Sequence, residues 1–310
     1  MLSRVAERMY WAGRYLERAE NSARLVDSYD NLLLDLPPDA GVDWRRLLQI
    51  ADAEQEFEQR GEAPTERNIL GFLLSDVDNP GSLYSSLAFV RENVRTSRDL
   101  IPREAWECVN ELYLMARRRL SKAIGRPNRH EIMSACIVGC QQLTGLLSGT
   151  MSHGEAYNFL RLGVHLERAD MSSRVVDVAA LTLMDSEASE AYENTLWMGV
   201  LKSLSAYQMY RQHVRRRIAP ADVVEFLIKD KQFPRAIAAV LMALHDSTGS
   251  LPRNTAVAAA LAKLEQSIAT AEVGSKGAGP LHDYIDRLQI GLADLHRAIE
   301  AAWFLTPNRS

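Results

Sequence analysis

The stretch "GRYLERAENSARLVD" (13–27) returns 150 positions later as "GVHLERADMSSRVVD" (163–177), with nine of fifteen residues identical. The shared set is Gly13/Gly163, Leu16/Leu166, Glu17/Glu167, Arg18/Arg168, Ala19/Ala169, Ser22/Ser172, Arg24/Arg174, Val26/Val176 and Asp27/Asp177, and Glu20 faces Asp170 with its charge kept. Outward from this segment the correspondence continues in order. Trp44 and Leu48 match Trp197 and Leu201, "FLLSDVDNP" (72–80) matches "FLIKDKQFP" (226–234), and "IPR" (101–103) matches "LPR" (251–253). His130, Gly139 and Leu143 match His282, Gly291 and Leu295. The offset drifts by only a few residues while the order holds, which is the signature of an internal repeat. We therefore expect one domain, 1–310, built from two copies at about 1–152 and 153–310.

Each copy reads as helix. Apolar residues recur at three- and four-residue spacing, and β-type alternation is nearly absent. Turns are expected at "LPPDAG" (36–41), "GEAP" (61–64), "DNPGS" (78–82) and "GRPN" (125–128), then at "MDSEAS" (184–189) and "GSKGAGP" (274–280). The expected fold is all-α, a helical bundle from an internal tandem duplication, with about six helices per copy and pseudo-twofold symmetry.

Composition narrows the function classes. A net charge of -4 over 310 residues argues against nucleic acid or an anionic membrane as partner. The N-terminus lacks a secretory pattern because Arg4, Glu7 and Arg14 interrupt it. The longest apolar run, "AIAAVLMAL" (236–244), is far short of a membrane span. Three cysteines, Cys108, Cys136 and Cys140, provide no disulfide framework and suit a reducing, cytoplasmic setting. Cys136 and Cys140 read as small core residues rather than metal ligands. No P-loop, nucleophile elbow, H-E-x-x-H or Glu-x-x-His di-metal pattern occurs, so no metal site is expected and no cofactor is named.

The repeated helix carries the candidate chemistry. At 100° per residue, Glu17, Glu20, Arg24 and Asp27 fall within an arc of about 80°, beside an apolar stripe of Met9, Ala12, Leu16, Ala19, Ala23 and Val26. The second copy places Glu167, Asp170, Arg174 and Asp177 beside Phe159, Leu162, Leu166, Ala169 and Val176. Arg14, Asn21 and Leu25 become Val164, Met171 and Val175, so deeper burial is expected for the second helix. Desolvated charges of this kind need ion pairs across the two copies or a bound ligand. Glu17, Glu20, Glu167 and Asp170 are the candidate acid–base groups. Arg18, Arg24, Arg168 and Arg174 are the candidate anion-binding groups. "DVDNPGS" leads into "RENVRTSR", where Arg91, Arg95 and Arg98 share a helical face that suits a carboxylate or phosphate. The second copy has His245, Asp246 and Gly249 in place of Arg91, Glu92 and Arg95, so symmetry is broken there. His165 stands where the first copy has Tyr15 and reads as a packing histidine.

Four segments, "MLSRVAERMYWAGRYLERAENSARLVD" (1–27), "FLLSDVDNPGSLYSSLAFVRENVRTSRD" (72–99), "FLRLGVHLERADMSSRVVD" (159–177) and "EFLIKDKQFPRAI" (225–237), resemble the bacterial alpha-E domain family. That resemblance implies an all-helical fold and no settled activity. It implies a circularly permuted ATP-grasp ligase as neighbour or fusion partner, with a transglutaminase-like protein often nearby, in systems that make or modify a small peptide or amino-acid conjugate. Carried over, the family's prominent positions are Glu17, Arg18, Glu20, Arg24, Asn79, Pro80, Arg91, Glu92, Asn93, Arg95, Glu167, Arg168, Asp170, Arg174, Asp230, Pro234 and Arg235. The one departure is Val94 where the family often has alanine. The expected arrangement is a charged cleft between the copies, with Arg24, Arg174, Arg91 and Arg95 on the ligand. The competing expectation is a scaffold whose charges are docking salt bridges.

Overall fold

The computed structural model describes residues 2–36, 42–184, 190–272 and 278–304. Among these the chain is helical, with no strand. The first half holds α1 (Ser3–Asp35), α2 (Arg45–Ile50), α3 (Glu54–Glu58), α4 (Glu66–Leu74), α5 (Leu83–Arg95), α6 (Arg103–Ala123) and α7 (Arg126–Thr150), with a 3-10 turn at Arg98–Leu100. The second half holds α8 (Glu155–Met184), α9 (Glu190–Ser203), α10 (Tyr207–Val214), α11 (Pro220–Lys229), α12 (Ile237–Gly249), α13 (Thr255–Thr270) and α14 (Ala278–Trp303). Among the described residues seven helices per half replace the expected six. The additions are pieces such as α3 and α10, five and eight residues long, too short to display a 3.6-residue period. The expected turns at 36–41, 184–189 and 274–280 lie largely outside the described residues.

Local sequence sets several boundaries. Thr65 caps α4 by accepting from the Asn68 N–H at 3.3 Å, and Ser82 caps α5 by accepting from Ser85 at 3.1 Å. Pro220 opens α11, where its missing N–H costs nothing. Asp52 and Ser205 end their helical corners with φ of 54° and 53°. There the Ala53 and Ala206 N–H groups reach back to the carbonyls of Leu48 and Leu201.

α1 and α8 form the central pair. Glycine decides how closely they approach. A Cβ on Gly13 would run into the Leu160 carbonyl oxygen, and one on Gly163 into the Tyr10 carbonyl oxygen. Around this crossing α5, α7 and α9 pack on α1, while α12, α14 and α2 pack on α8. α6 covers α5 and α7, and α13 covers α12 and α14. The core is continuous through both halves, with Met9, Leu16, Ala19, Ala23, Leu162, Leu166, Ala169 and Val176 all buried at the seam.

Among the described residues α7 alone is long and apolar enough to cross a bilayer by length and composition. Its apolar stripe of Ile132, Met133, Cys136, Cys140, Leu143 and Leu147 is instead buried in the bundle, against α1 and α6. Burial pushes the Cys136 thiol up to about 12, so it is a thiol and not a thiolate at neutral pH.

Candidate functional site

The close crossing of α1 and α8 brings the repeated carboxylates into the molecule's interior. Glu17 is 3% exposed and Glu167 2%, so the expected difference in depth between the helices is absent here. Arg14 and Asn21, which looked like surface residues of the first helix, are themselves buried, because each meets a polar group across the seam.

The Glu-Arg dipeptides of the repeated segment, Glu17-Arg18 and Glu167-Arg168, pair crosswise. Arg168 donates to Glu17 through Nε at 3.0 Å and Nη2 at 2.7 Å. Arg18 donates to Glu167 through Nε at 2.6 Å and Nη2 at 3.1 Å. Forked pairs of this type fix orientation as well as distance. Each carboxylate has a second arginine. On Glu17 it is Arg235, from the loop before α12, whose Nη1 also reaches the Asn21 Oδ1, both at 2.7 Å. On Glu167 it is Arg14, which also donates to the Tyr10 hydroxyl at 3.0 Å. Burial alone raises a carboxyl's pKa. At Glu17 that push is outweighed by Arg168 and Arg235, and at Glu167 by Arg14 and Arg18, so both are held at about 2. A carboxyl held so low carries no proton to donate at neutral pH. These two residues lock the helices together.

One helical turn on, the halves differ. Glu20 accepts from Arg24 at 2.9 and 2.7 Å and from the Arg235 Nη2 at 2.9 Å. Among the described residues the Asp170 side chain accepts from the Arg174 Nε alone, at 3.2 Å. Arg24 also donates to the Ser205 hydroxyl at 2.6 Å, and Arg174 lies 3.2 Å from Asp52. Both partners sit at the left-handed corners noted above.

Beside Glu167 and Asp170 a cleft of about 320 Å³ opens. It is lined by Arg14, Arg18 and Ser22 of α1, Glu167, Asp170, Met171 and Arg174 of α8, Asp52 and Glu56 at the α2–α3 corner, and the Asn79–Gly81 loop. Roomier hollows lie elsewhere, about 550 Å³ beside Thr65 and Gly125 and about 650 Å³ beside Met242, but neither gathers groups from both central helices.

Of the sequence candidates, the structure thus brings Glu167, Asp170, Arg18, Arg174 and Asn79 to the cleft. Glu17, Glu20, Arg24 and Arg168 gather on the other side of the seam, around Arg235. Arg91, Glu92 and Arg95 belong to neither. Arg91 donates to the Asn110 side chain at 2.8 Å and lies over the Trp106 and Tyr113 rings, while Arg95 pairs with Glu92 on the exposed surface at 2.7 Å. The arginine row therefore faces α6 and solvent, not the seam, and its last member, Arg98, lies past the end of α5. Asn79 is a loop staple: its side chain donates to the Phe72 carbonyl and accepts from the Gly81 N–H.

Tyr10, Arg14, Asn21 and Asp52 escaped the sequence reading. Arg14 and Asn21 are visible only as places where the two repeats disagree. His165 is a packing histidine, pushed down to about 3 by burial and then by Arg168 and Arg161. Asp177, His282 and Asp286 offer ligand atoms within 4.8 Å of one another. His282 bonds Asp177 at 2.7 Å just as His130 bonds Asp27 at 2.7 Å, a recurring helix-to-helix clasp.

Comparison with known proteins places this geometry. The Alpha-E family, described as a predicted alpha-helical domain with a conserved ER motif, matches residues 1–304, and the chain belongs to it. Two of the chain's four Glu-Arg dipeptides, Glu17-Arg18 and Glu167-Arg168, make the crosswise pairs above. Uncharacterized proteins of Mycobacterium bovis and Mycobacterium tuberculosis are 21% identical over 272 residues, covering 80% of this chain. The match spans only 30% of those relatives' length. No solved structure matches the chain.

Proposed function

We propose that this Alpha-E protein is the ligand-holding partner of an ATP-grasp amide ligase, presenting an amino acid or small peptide from the cleft between its two halves. The observation that carries this is the cleft itself. Saturated ion pairs would close a purely structural seam on both sides, yet one side is open and lined by four carboxylates and three guanidinium groups. A volume of about 320 Å³ sits at the small end of the range of about 300–1,000 Å³ for ligand sites. The proposed location is cytoplasmic, where ATP is available.

In this reading the two halves are copies of one ancestral unit. The helices run in the same order in each half, and the crosswise Glu-Arg pairs, the Asp-His clasps and the left-handed corners each occur twice. Glu17 and Glu167 hold the copies together, while Asp170, Arg174 and Arg18 face the ligand.

The test is product formation by the ligase in the presence of this chain. A double Asp170→Ala, Arg174→Ala variant that still co-purifies with the ligase should lose product. Unchanged product would overturn the reading. A scaffold role is the second reading, favoured by the full pairing of Glu17 and Glu167. It predicts that the double variant keeps both complex and product.

A further inference from the structure

The two sides of the seam differ most where Arg14, Asn21 and Gly81 stand opposite Val164, Met171 and Arg235. Continuing the match of "DVDNP" with "DKQFP" by one position sets Gly81 opposite Arg235. The environments correspond as well. Arg235 leaves a loop whose carbonyl at that residue accepts from the Ser172 hydroxyl of α8 at 3.0 Å. It then crosses the seam and ends on Glu17, Glu20 and Asn21 of α1. On the other side, Gly81 lines the same cleft as Ser22 of α1 and Glu167, Asp170 and Met171 of α8. These are the partners of Ser172, Glu17, Glu20 and Asn21 in the repeat. Arg14 already gives Glu167 its second guanidinium, as Arg235 does for Glu17, so the cleft corresponds to the part of that space beside Asp170, where Arg235 meets Glu20 in the other half.

We infer that this cleft binds the guanidinium group of a second molecule, an arginine-type amino acid or a peptide bearing one, against Asp170, as Arg235 binds Glu20 in the other half. This names the ligand class for the function proposed above and rests on it. Three observations carry it. The lining holds Asp52, Glu56, Glu167 and Asp170 against Arg14, Arg18 and Arg174, one negative charge in excess, which a guanidinium neutralises. Among the described residues Asp170 has a single side-chain donor where its counterpart Glu20 has two arginines, so it keeps an oxygen for a planar fork. Asn21 is replaced by Met171, whose buried thioether offers an apolar wall to a methylene stem. The Ser22 hydroxyl adds one more polar group to the wall. Arg18 and Arg174 remain beside the site, placed for the carboxylate of the same ligand.

The experiment is titration calorimetry of the full chain with L-arginine, and with L-citrulline as the neutral isostere. Saturable arginine binding at or below about 1 mM, with citrulline weaker by about tenfold or more, is expected. Gly81→Arg supplies the missing side chain from within. A Cβ there meets only the Asn79 Oδ1 at 3.2 Å, so the variant should fold, show an unchanged circular dichroism spectrum and lose arginine binding. Asp170→Asn should weaken arginine by about tenfold, and it decides the matter alone should Gly81→Arg fail to fold. No saturable arginine binding overturns the inference, as does equal binding of citrulline or unchanged affinity in a folded variant. Co-purification of the wild-type chain with the ligase is scored separately, so a wrong ligand class and a wrong partner give different outcomes.

Discussion

Replacing Glu17 by glutamine tests the ion-paired seam directly. The substitution keeps the shape and one carbonyl oxygen but points an amide N–H₂ at guanidinium groups. Three charge-assisted bonds are affected, two from Arg168 at 3.0 and 2.7 Å and one from Arg235 at 2.7 Å. Removing one partner of a buried pair costs about 3–5 kcal/mol, because the remaining charge stays desolvated. The same ion pairs outweigh burial and hold the Glu17 carboxyl at about 2, below its usual 4.5, so ionisation favours the folded state in the same direction. Unfolding entropy of about 2.1 cal/mol/K per residue over 310 residues makes each kcal/mol worth about 1.5 °C, so the melting temperature should fall by about 5–8 °C at pH 7. The pH dependence has a fixed sign. A carboxyl depressed on folding stabilises the protein above its unfolded value and loses that contribution as pH falls through the folded one. Wild type should therefore lose stability between about pH 4.5 and 2, and Glu17→Gln should lose less across that window. Differential scanning calorimetry at several pH values reads both effects. Glu92→Gln is the control: its pair with Arg95 is about half exposed, and solvent screening leaves such pairs little weight in stability. A melting shift for Glu17→Gln no larger than for Glu92→Gln would refute the buried-network account.

Two further substitutions probe the frame that holds the site. Gly163→Ala should gain about 1 kcal/mol in helix propensity, yet lose more to the collision with the Tyr10 carbonyl, which no rotamer change relieves. Gly145→Ala, in open space on α7, should stabilise instead; chemical denaturation that ranks the two the other way would contradict the close crossing. Arg129, 1% exposed, binds Asp30 at 2.5 Å, Glu66 at 2.6 Å and the carbonyls of Ala123 and Ile124. Arg129→Ala should cost about 3 kcal/mol by urea titration, and Arg129→Lys should recover little, since an ammonium lacks the planar fork.

Much of the frame is legible in the chain alone. Helical periodicity and the sparse β-type alternation fix the all-α class, because backbone hydrogen bonding and side-chain period are local properties. The repeated Glu-Arg segment marks the central helices, and its charge beside an apolar stripe announces that ions will be desolvated. Gly13 and Gly163 stand at matching positions in the sequence, but that they are the crossing point follows only from the packed backbone. The partners of those ions were equally out of reach. Arg18 to Glu167, Arg14 to Glu167 and Arg235 to Glu17 join residues about 150 or more positions apart, and helix phase says nothing of which face meets which neighbour.

For the same reason the arginine row of α5 looked like part of the site. Arg91, Arg95 and Arg98 share a periodic face in the sequence, but the packing of α6 turns that face away from the seam. The exchange of Arg235 for Gly81 is written plainly in the alignment of the repeats. Its consequence, one side of the seam filled and the other open, depends on where two loops cross two helices. Period and charge order are inherited from the chain, whereas an interior cleft exists only once distant segments exclude water from one another.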